Sequence, residues 1–141
     1  MKLLLVVEEN PDRLLALEPL LRDRYRPLFR RSMAEGMLTL DVVQPHLILL
    51  DVTTRPGDAV EFLRTIRRRP VYRATPVIGM GENSAEADIR PFLYAGFQAV
   101  VQRPTAEPFP LFRAIDRFLS SGELGDGAAG NARMVAGDVS P

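Results

Sequence analysis

The stretch HLILLD, from His46 to Asp51, carries the main fold signal of this chain, because four consecutive aliphatic residues end in a single acid. Apolar residues without alternation are typical of a strand that is buried on both faces of a parallel sheet. Asp51 would then stand at the carboxyl end of that strand, which is the edge where open α/β sheets bind ligands. A lone acid at such a position is more often a solvated strand end or a helix cap. Whether Asp51 has a functional role therefore depends on which residues the other strands place at the same edge.

Two other apolar runs also end in charged residues. The first run of the chain is followed by Glu8 and Glu9, and a later run, Phe97 to Val101, is followed by Arg103. Because the carboxyl ends of parallel strands meet at one edge, these side chains are expected to converge with Asp51. The predicted site is an acidic pocket with a cation beside it. The alternative interpretation of the same residues is a charge-balanced structural ion-pair cluster, which is common in proteins.

The composition excludes several classes of function. The chain has 141 residues and 46% hydrophobic content, which is enough for one domain with a real core. It has no cysteine, so a disulfide framework, thiolate catalysis and cysteine-bound metal are excluded. The net charge is zero, which argues against nucleic acid as a partner. No apolar run reaches membrane-spanning length and the start has no signal-peptide pattern, so a cytoplasmic protein without membrane contact is expected.

Turn and capping signals divide the chain into five strands that alternate with five helices. The strands are predicted at Leu3 to Val7, around Leu28 and Phe29, at Leu47 to Leu50, at Val77 to Met80 and at Phe97 to Val101. The helices are predicted from Asn10, from Ser32 to about Val43, from Asp58 to Arg69, from Ser84 to Ala95 and from about Glu107 to Ser120. Pro19 should kink or break the first of them.

This alternation predicts a three-layer α/β domain of five βα units with a parallel five-stranded sheet. Right-handed crossovers limit the possible topologies, and the strand order 2-1-3-4-5 is predicted because it places the second strand, with its proline and arginine neighbours, at an edge. Residues 1–121 are expected to form this domain. Residues 122–141 are rich in Gly, Ala and Asp and lack apolar periodicity, so a flexible tail is expected there. They are too few for an output domain, so output through another protein is expected.

Several motifs, taken together in this order and spacing, resemble the receiver domain of two-component response regulators. The resemblance runs from Lys2 to about Ser120, and the similar segments are Val6 to Pro11, Leu47 to Val52, Thr75 to Ile78, Ala95-Gly96 and Arg103-Pro104. It implies the flavodoxin-like receiver fold and a signalling protein that is not an enzyme.

The resemblance also implies roles for the residues at the sheet edge. Asp51 matches the aspartate that accepts a phosphoryl group from a histidine kinase or phosphotransfer protein, and Arg103 matches the lysine that stabilises the phosphate. Glu8 and Glu9 match the acid pair that binds Mg²⁺ together with that aspartate, and the backbone carbonyl of Thr53 completes the metal site. A carboxylate can attack phosphorus while Mg²⁺ and a nearby cation spread the developing charge.

Several positions depart from the family pattern. Glu8 and Glu9 stand where the family has mostly aspartates, and the extra methylene moves each carboxylate relative to a metal ion. Gly81 replaces the hydroxyl residue that follows the phosphoryl group. Val100 replaces the switching aromatic residue, so both members of the pair that couples phosphorylation to the output face are absent.

Two functions of different class follow from these residues. The first is a stand-alone receiver that is phosphorylated on Asp51 and signals through the face formed by the fourth helix, the fifth strand and the fifth helix. The second is a pseudo-receiver that binds proteins without a phosphorylation switch. Both leave the kinase, the output protein and a homodimer open. A haloacid-dehalogenase-type phosphatase is disfavoured, because Thr53 stands where that family needs a second aspartate.

Overall fold

The computed structural model describes residues 1–82, 86–104 and 107–123. In chain order the elements are β1 Leu3–Val7, α1 Pro11–Arg22, β2 Arg26–Arg30, α2 Met33–Thr39, β3 Leu47–Asp51, α3 Pro56–Arg67, a short 3-10 turn Pro70–Tyr72, β4 Val77–Gly81, α4 Glu86–Ala95, β5 Ala99–Gln102 and α5 Phe109–Glu123. Ser84, the predicted helix cap, and residues 124–141 of the predicted tail lie outside the described residues. No helix in the described ranges is both long enough and apolar enough for a membrane crossing.

The five strands form one parallel sheet in the order β2-β1-β3-β4-β5, which confirms the predicted fold and strand order. Every residue of β3 is buried. Successive side chains of β3 enter opposite layers, because Leu47 and Leu49 pack in one core with α1 and α5, and Ile48 and Leu50 pack in the other with α3. Both faces of the strand are therefore covered, which explains why its sequence is apolar without alternation.

The edge strand β2 is only partly buried and pairs with β1. Pro27 and the charged Arg26 and Arg30 make this edge a poor template for pairing with another chain. The sequence prediction of an edge position for Phe29 is thus confirmed, with a strand that extends to Arg26 and Arg30.

The predicted break of α1 at Pro19 does not occur, because the helix continues from Pro11 to Arg22. Asn10 caps it as predicted, since its side chain accepts hydrogen bonds from the backbone N–H groups of Asp12 and Arg13. Proline at position 19 removes the hydrogen bond to the Leu15 carbonyl. Leu15 is 65% exposed, so the lost hydrogen bond lies on the solvent side of the helix.

The largest difference in a helix boundary is at α2, which ends at Thr39 and not at about Val43. The Tyr72 hydroxyl lies within hydrogen-bonding distance of the carbonyls of Leu40 and Val43. This contact joins residues that are far apart in the chain and stabilises the turn at residues 40–43. The local sequence therefore does not predict where α2 ends. The ends of α3, β5 and α5 also shift by a few residues from the predicted positions.

A buried glutamine gives a first stability prediction. Gln98 is 3% exposed, and its Oε1 accepts hydrogen bonds from the Val77 backbone N–H at 2.7 Å and from Arg67 Nη2 at 3.2 Å. In Gln98→Leu the Val77 N–H loses its acceptor, so unfolding free energy should fall by about 1–3 kcal/mol in urea denaturation. Gln102→Leu, an exposed position in β5, is the matched control and should change stability by about 0.5 kcal/mol or less. Equal stabilities of the two variants would contradict this role.

Candidate functional site

Four charged side chains meet where the strands of the sheet end. β1 and β3 are neighbours with Val7 opposite Leu50, so Glu8 and Asp51 leave the sheet side by side. Glu82 follows β4, and Arg103 follows β5, where its backbone N–H donates to the Gly81 carbonyl at 2.7 Å. The site thus lies at the carboxyl edge of the sheet, on the switch between β1 and β3.

Asp51 is 3% exposed, and both of its carboxylate oxygens are hydrogen-bonded. Oδ1 accepts from the backbone N–H of Thr53 at 2.9 Å and from Arg103 Nη2 at 2.7 Å. Oδ2 accepts from the hydroxyl of Thr54 at 2.5 Å. These contacts fix the orientation of the carboxylate, and the hydrogen bond from Arg103 places a guanidinium group directly against one of its oxygens.

Glu8 is fully buried next to Asp51. Its Oε2 accepts a hydrogen bond from the Asn10 backbone N–H at 3.1 Å, and its Oε1 lies 3.4 Å from Arg103 Nε. Burial raises the pKa of Glu8, and the nearby Asp51 carboxylate adds to this. The Asn10 N–H and the two neighbouring arginines oppose the rise in pKa without cancelling it. Arg103 therefore bridges two acids, one of which is costly to keep charged.

Arg13 also belongs to this cluster, and the sequence prediction missed it. Its Nη1 lies 3.8 Å from Asp51 Oδ2 and 3.9 Å from Glu8 Oε2, and its Nη2 lies 3.4 Å from Glu82 Oε1. One feature of the sequence could have predicted this, because Arg13 lies in the first turn of α1, directly after a strand that ends in acids. Which way a long side chain turns from that position is not visible in the sequence.

The structure does not bring Glu9 to Asp51. The Glu9 carboxylate accepts from Arg55 Nε at 3.1 and 3.2 Å and is 25% exposed. Thr53 contributes its backbone N–H to Asp51, as described above. Within residues 1–82, 86–104 and 107–123, no three acidic or histidine side chains are close enough to hold a metal ion. With guanidinium groups already against Glu8 and Asp51, the residues as placed do not fit a divalent cation.

The two predicted departures from the family, Gly81 and Val100, lie together. Both line a cavity of about 190 Å³ next to Thr53, with Ile89 and Phe92 of α4 on its far side. Neither residue carries a hydroxyl or an aromatic ring, so nothing at these two positions can follow a group on Asp51 by hydrogen bonding. The polar residues Thr53 and Glu82 also line this cavity, and its other side chains are apolar.

A curated relative supplies a sequence comparison. The KDP operon transcriptional regulatory protein KdpE from Escherichia coli (strain K12) is 31% identical to this chain over 101 residues. The alignment covers 72% of this chain and 44% of KdpE, so the chain spans less than half of the length of this relative. No protein-family model matches the chain.

Solved structures share the fold. The N-terminal domain of the response regulator receiver protein from Methanoculleus marisnigri JR1 is 26% identical, with a TM-score of 0.65 over 83% of this chain and 95% of that one. The receiver domain of the sensor histidine kinase PA1611 from Pseudomonas aeruginosa PAO1 is 24% identical, with a TM-score of 0.73 over 84% of this chain and 98% of that one. That second structure has a magnesium ion coordinated in its active-site cleft.

Proposed function

Because this chain is a receiver domain of the response-regulator type, we propose that Asp51 accepts a phosphoryl group and that the domain then signals through contacts with another protein. The donor would be a histidine kinase or a phosphotransfer protein. The observation that carries the proposal is the Asp51 carboxylate itself, held at the carboxyl edge of the sheet with Arg103 Nη2 at 2.7 Å.

The geometry suits a simple displacement. Asp51 Oδ2 forms a bond to phosphorus while the bond between phosphorus and the leaving group of the donor breaks, and the leaving group takes the electron pair. Arg103 and the Thr53 backbone N–H hold the other oxygen of Asp51, so they fix the direction of attack. Arg103 and Arg13 lie where negative charge of the transferred group would develop. The Thr54 hydroxyl must turn away from Oδ2, and the residue is exposed enough to do so.

The output contact in this proposal is made by the face of α4, β5 and α5. Tyr94 of α4 and Phe109 of α5 are 83% and 57% exposed, so both helices offer apolar contact area to a partner. A groove of about 820 Å³ runs along α5 beside Val101. Phosphorylation would shift the population of conformations of this face by a route that does not use a hydroxyl at Gly81 or an aromatic ring at Val100.

A second candidate is a protein-interaction module whose contacts do not depend on phosphorylation. The cavity lined by Gly81 and Val100 favours it, because neither of these positions carries a hydroxyl or an aromatic ring that could relay a change at Asp51 to α4. In this case the Glu8, Asp51 and Arg103 cluster would serve mainly to close the carboxyl edge of the sheet.

Amide chemical shifts distinguish the two candidates. The full chain is labelled with ¹⁵N and treated with beryllofluoride, which mimics an acyl phosphate, in a buffer that contains MgCl₂. The first candidate predicts shifts at Thr53 and at residues of α4, β5 and α5, all of which are absent in Asp51→Asn. Shifts confined to the loop after β3 would favour the second candidate, and no difference from Asp51→Asn would contradict the first.

A further inference from the structure

The Arg13 side chain reaches the site from α1, which is an unexpected position for a cation. A cation in the first turn of a helix faces the positive end of the helix dipole, which is unfavourable. Arg13 nevertheless turns toward the sheet edge, and only 26% of its side chain is exposed. The attraction of Glu8, Asp51 and Glu82, whose carboxylate oxygens lie 3.4 to 3.9 Å from its guanidinium nitrogens, outweighs the dipole. Its position is thus set by the acids of the pocket.

The charge balance of the buried part is already complete. Two carboxylates, Glu8 and Asp51, face two guanidinium groups, Arg13 and Arg103. A divalent cation placed between the acids would lie within a few ångströms of both arginines and would leave these four side chains with an excess of two positive charges. Glu82 contacts both arginines, but its side chain is 63% exposed, and Glu9 is bonded to Arg55 outside the pocket.

The pocket also offers unused hydrogen-bond donors. Nη1 of Arg13 and Nε of Arg103 are buried without an acceptor in hydrogen-bonding geometry, and so is Oε1 of Glu8 without a donor. Buried polar atoms of this kind cost free energy until a ligand or water pairs with them. Phosphoryl oxygens are acceptors of a kind that arginine binds well, and a protonated phosphoryl oxygen could donate to Glu8.

We propose that the guanidinium group of Arg13 balances the charge of the acids in this pocket in place of a divalent metal ion. The domain then holds phosphoryl oxygens with two arginine side chains and without a divalent metal ion. The inference rests on the proposed function only in assuming that a phosphoryl group reaches Asp51. The placement of Arg13 between Glu8 and Asp51 predicts the absence of metal binding whether or not that group arrives.

Magnesium binding is the direct test, measured on the full chain by calorimetry and by amide shifts of Asn10 and Thr53, at constant ionic strength. Wild type should show no saturable Mg²⁺ binding up to tens of millimolar. Arg13→Gln removes the positive charge beside both acids and should bind Mg²⁺ at least about tenfold more tightly. Arg13→Lys keeps a charge and should behave like wild type. Arg22→Gln, on the same helix but paired with Glu18 in solvent, is the matched control and should also behave like wild type.

Saturable Mg²⁺ binding by wild type at low millimolar concentration would overturn the proposal, and so would an Arg13→Gln protein that binds no better than wild type. A second readout is the yield of phosphoryl adduct from acetyl phosphate with EDTA or with MgCl₂. EDTA should leave the yield of wild type unchanged and lower that of Arg13→Gln. If no adduct forms under any condition, the proposed function fails, while the Mg²⁺ titration still decides the role of Arg13.

Discussion

Replacing Arg103 with alanine should lower the free energy of unfolding by about 3–5 kcal/mol. The Arg103 side chain is 12% exposed and lies against both Glu8 and Asp51, at 3.4 and 2.7 Å. Its removal leaves two buried carboxylates with only Arg13, at 3.8 Å or more from either, to balance them. The cost of an unpaired buried charge is larger than the net value of the pair itself, which is why the expected loss is large.

The measurement is urea denaturation at neutral pH, with Arg24→Ala as the matched control. Arg24 also pairs with an acid, Asp116, at 2.9 Å, but both side chains are nearly half exposed, so the control should lose much less stability than Arg103→Ala. Arg103→Lys, which keeps the charge but not the planar fork, should fall between the two. Equal losses in Arg103→Ala and Arg24→Ala would contradict the bridging role.

The loss in Arg103→Ala should also depend on pH. Burial holds the pKa of Glu8 above its ordinary value of 4.5, and removal of a neighbouring cation raises the pKa of Glu8 further. A carboxyl whose folded pKa exceeds its unfolded pKa binds its proton more tightly in the folded state. Stability therefore falls as pH rises from about the ordinary pKa through the folded pKa, and the variant should recover part of its loss as pH is lowered. A loss that does not change with pH would argue against a charged Glu8 in this variant.

Asp51→Asn should abolish phosphoryl adduct formation. The amide has the same shape as the carboxylate, but its nitrogen and oxygen are poor nucleophiles toward phosphorus, so the adduct should fall to background. Intact mass after incubation with acetyl phosphate measures this directly, and the wild type should gain one phosphoryl group. Glu9→Gln is the matched control, because its side chain pairs with Arg55 outside the pocket, and it should retain the adduct. An adduct of equal yield in Asp51→Asn would exclude Asp51 as the acceptor.

Much of the fold could be predicted because its signals are local. Apolar runs without alternation, the Asn10 cap and the edge character of the segment around Phe29 are each visible within a few residues of sequence, and the observed strand order agrees with them. The end of α2 was mispredicted because it depends on Tyr72, which is far from Leu40 in the chain. The sequence predicted a kink or a break at Pro19, and the break does not occur, since Leu15, whose carbonyl loses its hydrogen bond, lies on the exposed side of the helix.

The candidate site also contains residues whose positions could be predicted from the sequence and residues whose positions could not. Strand topology alone brings Glu8, Asp51 and Arg103 to one edge, so their proximity could be expected from the sequence. The direction of Glu9 could not, because its partner Arg55 lies on a loop that precedes α3. Arg13 was missed for a related reason, since its reach into the pocket depends on the three-dimensional path of a flexible side chain. The roles of these residues remain predictions.

The measurement that tests the central claim most directly is the location of the phosphoryl group in the wild-type chain. Borohydride reduces an aspartyl phosphate to homoserine, so the protein is treated with acetyl phosphate, reduced, digested and examined by peptide mass spectrometry. The account predicts homoserine at position 51 and at no other acid, with no conversion when the phosphodonor is omitted. Homoserine at Asp58, or 5-hydroxynorvaline at Glu8 or Glu9, in place of homoserine at position 51 would contradict it, and so would a stable adduct that borohydride does not reduce.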